Sequence, residues 1–222
     1  MLPLFVNGKA FLFDFDGTLA HLNINFPALR EEIILMAKGL GLSQPLLPEP
    51  PYLLELTRTF REQLKAINPE KGELFYGEAM KLIEDRERQG ALPENLFPYT
   101  RSVLRKIRIK KWKIAVLTRN SGGSVYRVFP ELDRYVDLFL PREKVLWPKP
   151  DPTHLVQAIL ALDVLPPEAI MVGDHPIDII SGKKAGTLTV GVLTGRIQEE
   201  EMKGASPDLI LPTIESLPEL IQ

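Results

Sequence analysis

Short, mainly apolar runs alternate with amphipathic stretches through most of this chain, and that alternation restricts the fold more than any other feature. The runs at 10–13, 114–117, 136–140, 170–172, 188–192 and 209–211 read as strands, most of them ending in small or polar residues. Helical periodicity occupies 99–107, 123–129, 152–162 and 177–185 between them. A strand that is apolar at every position has both faces buried, which happens where helices cover a parallel sheet on each side. The expected architecture is α/β, a three-layer, Rossmann-like parallel sheet. Ligands of such sheets bind beyond the carboxyl ends of the strands, so the residues just after each run are where chemistry is sought.

One connection is too long for a simple crossover. A βαβ unit returns to its sheet after roughly 30 residues. The runs ending at Phe13 and Leu117 lie about three times that far apart. Phe26, Leu29, Ile33, Met36 and Leu40 recur at helical spacing, with Asn25 suited to cap the helix and Pro27 to its first turn. Leu53, Leu56, Phe60, Leu64 and Ile67 repeat the pattern, as do Leu74, Phe75, Ala79, Leu82 and Ile83. Residues 20–95 are therefore expected to form an all-helical cap, inserted into a core made of 1–19 and 96–222. The insertion follows directly on an Asp-x-Asp turn, so the cap is expected to overhang whatever site that turn builds.

Four strand-end segments carry candidate chemistry. In Phe13-Asp14-Phe15-Asp16-Gly17-Thr18 the extended chain points Asp14 and Asp16 one way and the phenylalanines the other. Paired carboxylates repel unless a cation or shared proton relieves them, although Asp-Gly after an apolar run also reads as a plain turn. Thr118-Arg119-Asn120-Ser121-Gly122-Gly123 ends the next strand; its small residues leave backbone N–H groups to face an anion, or simply cap the following helix. Trp147-Pro148-Lys149-Pro150-Asp151-Pro152 stiffens the backbone around one lysine, suited to a phosphate. In Gly173-Asp174-His175-Pro176-Ile177-Asp178 one carboxylate stands beyond a buried strand and another at a helix start, where it also complements the helix dipole. Each segment alone has an ordinary structural explanation; their order along the chain does not.

That order resembles the haloacid dehalogenase-like hydrolase superfamily from about Ala10 to Gly195, and KPDPTHLVQAILALDVLPPEAIMVGDHPIDIISGKKAGTLTVGVLTG is most similar to its phosphoglycolate phosphatase-like branch. The resemblance implies that Asp14 is the nucleophile of an aspartyl-phosphate pathway and Asp16 the general acid and base. It implies Mg2+ held by Asp14, the Asp16 backbone carbonyl and Asp174, with Asp178 assisting. Thr118, Arg119, Asn120 and nearby amides would hold phosphoryl oxygens while Lys149 balances charge. Asp16 also argues against dehalogenation and phosphonate cleavage, because those branches lack an acid there. The implied activity is hydrolysis of a small phosphorylated metabolite, phosphoglycolate being a candidate. A phosphosugar mutase and a catalytically idle phospho-ligand or protein binder are the alternatives.

The chain departs from that branch at Leu19-Ala20-His21 and at Phe97-Pro98-Tyr99-Thr100, which concerns the substrate rather than the phosphoryl chemistry. His21 and His175 either touch substrate or are satisfied by backbone, and His154 reads as structural or solvated. The basic run Arg101, Arg105, Lys106, Arg108, Lys110, Lys111 and Lys113 reads as a solvated face in preference to a nucleic-acid surface, since the net charge is −2. Arg30, Arg58, Arg61, Lys65, Arg86 and Arg88 read as polar faces of the cap helices, one of which would reach a substrate carboxylate or second phosphate. The absence of cysteine excludes disulfides and thiolate chemistry. No apolar stretch reaches the roughly 20 residues of a membrane span, and the N-terminus lacks the pattern of a signal peptide. The expectation is a cytoplasmic monomer or homodimer that binds neither nucleic acid nor membrane.

Overall fold

The computed structural model describes residues 7–21, 23–42 and 52–221; the first six residues of the N-terminal apolar segment lie outside them. The chain divides into two compact units, Met1–Leu22 with Ala91–Gln222, and Asn23–Gly90.

The first unit is built on six strands, β1 (Ala10–Phe13), β2 (Lys113–Leu117), β3 (Leu138–Leu140), β4 (Ala169–Gly173), β5 (Leu188–Val192) and β6 (Leu209–Leu211). They form one parallel sheet in the order β3-β2-β1-β4-β5-β6. Alternate residues serve different layers, as the two-residue period of a strand requires. Phe11, Phe13, Ile114, Val116, Ile170 and Val172 join one core cluster. Ala10, Leu12, Ala115, Leu117, Ala169 and Met171 join another. The first cluster takes Val103, Leu104 and Ile107 from helix α4 (Thr100–Ile109) and Val125 from α5 (Gly122–Val128). The second takes Leu155, Ala158 and Ile159 from α6 (Thr153–Ala161) and Ala185 from α7 (Pro176–Ala185). Burial on both faces is the physical reason the strands read as continuous apolar runs. α8 (Glu199–Gly204) joins β5 to β6.

β3 is shorter than the run 136–140 suggests. Asp137 accepts the Ile114 N–H on its carboxylate at 2.7 Å and gives its own N–H to the Ile114 carbonyl at 2.8 Å, so a side chain replaces the next rung of the ladder. The basic run is largely engaged within this unit. Arg101 pairs with Glu131, Arg105 donates to the Tyr135 hydroxyl, Arg108 pairs with Asp137, and Lys110 and Lys113 donate to backbone carbonyls.

Among its described residues the second unit holds three helices, α1 (Phe26–Gly39), α2 (Leu53–Ile67) and α3 (Pro69–Gly90). The Asn25 side chain caps α1 by accepting the Ala28 N–H at 3.2 Å, and Pro27 lies in the first turn. The apolar stripes run differently from the simple spacing. α1 buries Leu29, Ile33 and Ala37 while Phe26 is exposed, and α3 buries Phe75, Ala79, Ile83 and Glu87 while Leu74 is exposed. A small alanine belongs to the α1 contact face, where size-blind periodicity favours Met36 and Leu40. The polar faces pair within the unit, Arg61 and Lys65 with Glu73, Arg86 with Glu32, and Arg88 with Asp85.

The chain leaves and re-enters the first unit through a pinned pair of segments. Ala20 and Leu96 form an antiparallel bridge, the His21 N–H reaches the Asn95 carbonyl at 2.7 Å, and the Phe97 N–H reaches the Leu19 carbonyl at 3.1 Å. Among the described residues no helix is long and apolar enough to cross a membrane.

Candidate active site

β1 and β4 are neighbours, yet they flank the point where the strand order reverses, and a crevice opens beyond carboxyl ends at such a switch. Asp14 leaves β1 there, its N–H still bonded to the Val172 carbonyl at 2.9 Å. Asp174 leaves β4, and Asp178 stands in the first turn of α7. One carboxylate oxygen from each of Asp14, Asp174 and Asp178 lies within 4.8 Å of the others. Phe13 and Phe15 enter the core beneath, as the alternation of the motif anticipates.

Lys149 completes this cluster. Its Nζ lies 2.8 Å from Asp14 Oδ1 and 2.7 Å from Asp178 Oδ1, although the lysine is fully buried. Burial pulls the ammonium pKa down, but Asp14 and Asp178 outweigh it and hold the group above the ordinary lysine value. Asp174 is pushed well above the usual carboxylate range by burial, then by Asp14 and Asp178. Asp178 is pushed up to about 7, by burial first and by Asp14, against the lowering pull of Lys149. Three carboxylates against one ammonium leave a surplus of two negative charges when all are ionised. An all-oxygen set with that surplus fits a hard divalent cation.

Asp16 lies outside this group by its carboxylate, whose Oδ2 accepts from Asn120 Nδ2 at 3.0 Å and from the Thr118 hydroxyl at 3.4 Å. The turn after β2 thus grips the second acid of the first motif. Its amides are less free than the small residues suggest. Asn120 N–H goes to the Thr118 hydroxyl, Ser121 N–H to Asn120 Oδ1, and Gly122 N–H to Glu143 Oε1 at 2.9 Å. Ser121 also caps α5, as the ordinary structural reading of this segment expects. Glu143 stands on a short turn after β3, and its neighbour Arg142 donates to the Arg119 carbonyl at 2.9 Å. Arg119 in turn donates to the Lys149 carbonyl, linking the second and third segments.

Of the histidines, His154 is fully buried. Its Nδ1 accepts the Lys149 N–H at 3.4 Å and its Nε2 lies 3.0 Å from the Leu140 carbonyl, which fixes the neutral ring with hydrogen on Nε2. Burial, then the Lys149 charge, lowers its pKa to about 3. His175 caps α7 through Nδ1, which accepts the Ile177 N–H at 3.1 Å. Burial lowers its pKa as well. His21 packs edge-on against Phe97 at 4.2 Å. Sequence reasoning gave no role to Thr18, whose hydroxyl donates to Asp174 Oδ1 at 3.2 Å, or to Arg142 and Glu143. The Thr18 position next to Gly17 was a usable signal; the other two lie beyond any local pattern.

Comparison with known proteins supplies the family. The family model described as haloacid dehalogenase-like hydrolase matches residues 11–192. The pyrophosphatase PpaX of Listeria welshimeri is 29% identical over 93% of this chain and 93% of its own. The pyrophosphatase PpaX of Bacillus cereus is 33% identical over 51% of this chain and 54% of its own. Among solved structures, a predicted phosphoglycolate phosphatase from Haemophilus somnus superposes with a TM-score of 0.65 at 19% identity, covering 98% of this chain and 99% of that one. β-Phosphoglucomutase from Clostridium difficile gives 0.66 at 18% identity, covering 95% and 93%. At such identities the superpositions speak for the fold alone. The family match spans most of the chain and all four strand-end segments, so the chain belongs to the haloacid dehalogenase-like hydrolase family and is an enzyme, a hydrolase.

Proposed function

We propose that this hydrolase is a magnesium-dependent phosphatase of small phosphorylated substrates, working through a phosphoryl group carried on Asp14. The observation that carries the reading is the meeting of Asp14, Asp174, Asp178 and Lys149 at the carboxyl ends of adjoining strands. In the first step Asp14 attacks phosphorus, the bond to the leaving oxygen breaks, and Asp16 gives that oxygen a proton. In the second, Asp16 takes a proton from water as the water oxygen bonds to phosphorus, and the bond to Asp14 breaks. Lys149 offsets the negative charge facing the incoming phosphate dianion. Asp14, the Asp16 backbone carbonyl, Asp174 and Asp178 would hold Mg2+, which when bound supplies charge compensation for the phosphoryl oxygens. Thr118 and Asn120 are proposed to orient Asp16 as well as phosphate, and Arg119 to steady the Lys149 segment. The helical insert is proposed as the cap domain that selects the substrate.

Inorganic pyrophosphate joins phosphoglycolate as a candidate, because relatives similar in sequence are named as pyrophosphatases. The test is phosphate release from a panel containing both, with Mg2+ and with excess chelator. Release that needs the metal supports the reading. Silence across the panel from folded protein counts against it, and isomerised sugar phosphate without free phosphate turns it toward a mutase.

A further inference from the structure

We propose that Thr194 and Gly195, in the turn after β5, are positioning residues that fix the carboxylate of Asp174. The inference rests on the reading of Asp14, Asp174 and Asp178 as a metal site. β5 adjoins β4 with Gly173 opposite Gly191, so the chain leaving β5 emerges beside Asp174. Thr194 Oγ1 donates to the Gly17 carbonyl at 2.5 Å, which ties the turn after β5 to the turn after β1 across the end of the strand between them.

Asp174 lies beneath that tie. A Cβ on Gly195 would coincide with the Asp174 carboxylate, and a Cβ on Gly17 would meet the same group from the other turn. Gly17 also has φ +80°, a backbone conformation that side chains disfavour. Thr18 donates to Asp174 Oδ1 at 3.2 Å. The carboxylate therefore occupies a slot walled by two glycines, with one oxygen held by a hydroxyl. A short acidic side chain left to itself would sample several rotamers. Here the slot removes the alternatives before a ligand arrives, and Thr194 keeps its walls together.

The prediction concerns metal affinity rather than turnover. Titration calorimetry of chelator-treated protein with Mg2+ should give G195A an affinity about 10- to 100-fold below wild type, the range typical when the support of a metal ligand is lost. T194V should lose affinity in the same direction, and T194S, which keeps the hydroxyl, should restore it. A merely structural role would lower the melting temperature without this pattern. Wild-type affinity in folded G195A and T194V overturns the inference; if G195A does not fold, T194V against T194S decides. Failure of the wild type to bind Mg2+ removes the metal reading instead. The slot is then judged by a crystal structure of T194V or G195A: Asp174 turned away from Thr18 sustains it, and an unmoved Asp174 overturns it.

Discussion

In the first unit Lys149 is fully buried between Asp14 and Asp178, whereas in the helical insert Arg86 and Glu32 meet at 2.9 Å with 41% and 40% of their side chains exposed. The contacts are similar in length and different in consequence. Taking an ammonium out of water is costly unless carboxylates compensate it, so each member of the buried set constrains the others. An exposed pair is solvated whether or not it forms, and many other pairs would serve. The candidate site is therefore the place where charge is hardest to keep.

Four experiments press on that contrast. The largest effect is expected from Asp14→Asn, which keeps the shape and removes the proposed nucleophile. Phosphate release should drop to background while the melting temperature stays measurable, and near-normal turnover would mean the nucleophile is another group. Lys149→Met comes next. It leaves two acids without their ammonium, and urea denaturation of metal-free protein at pH 8 should show a loss of about 3–5 kcal/mol.

A third test uses His154, whose folded pKa of about 3 lies below the ordinary 6.5. Between those values the unfolded chain binds more protons than the folded one. The stabilising contribution is present above 6.5 and is lost as pH falls toward 3, at up to about 1.4 kcal/mol per pH unit. Urea midpoints from pH 7 to 4 should fall less steeply in His154→Gln than in wild type; parallel profiles would deny the role. The smallest effect belongs to the insert. Arg86→Ala should cost at most about 1 kcal/mol, and less in high salt. A loss comparable to that of Lys149→Met would erase the distinction between the units.

Much of the first unit was legible because two-sided burial keeps the central strands almost wholly apolar. Phe11 and Phe13 serve one layer and Ala10 and Leu12 the other, so no polar residue interrupts the run. The acids and Lys149 were legible by their order after those strands. What sequence hid depends on distant approach. Glu143 takes the Gly122 N–H from 21 positions away, Thr194 reaches Gly17 from 177 positions away, and neither pairing has a local period. In the insert the helices and the Asn25 cap were readable, but the buried face of α1 turned on Ala37, whose small size signals little by itself. Nothing in composition distinguishes an arginine that pairs with Glu32 from one that meets a substrate.

The bridge between Ala20 and Leu96 has a consequence for how such a molecule diversifies. With exit and return already hydrogen-bonded to each other, the sheet experiences everything between them as the loop of a hairpin. Closing a loop costs only slowly more as it lengthens, about 0.6 kcal/mol for each doubling. A helical segment of one length can thus be exchanged for another, or cut back to a tight turn, without stretching the strand that carries Asp14. The doorway is a grafting point, where one insert can be spliced in for another while the strand ends stay as they were.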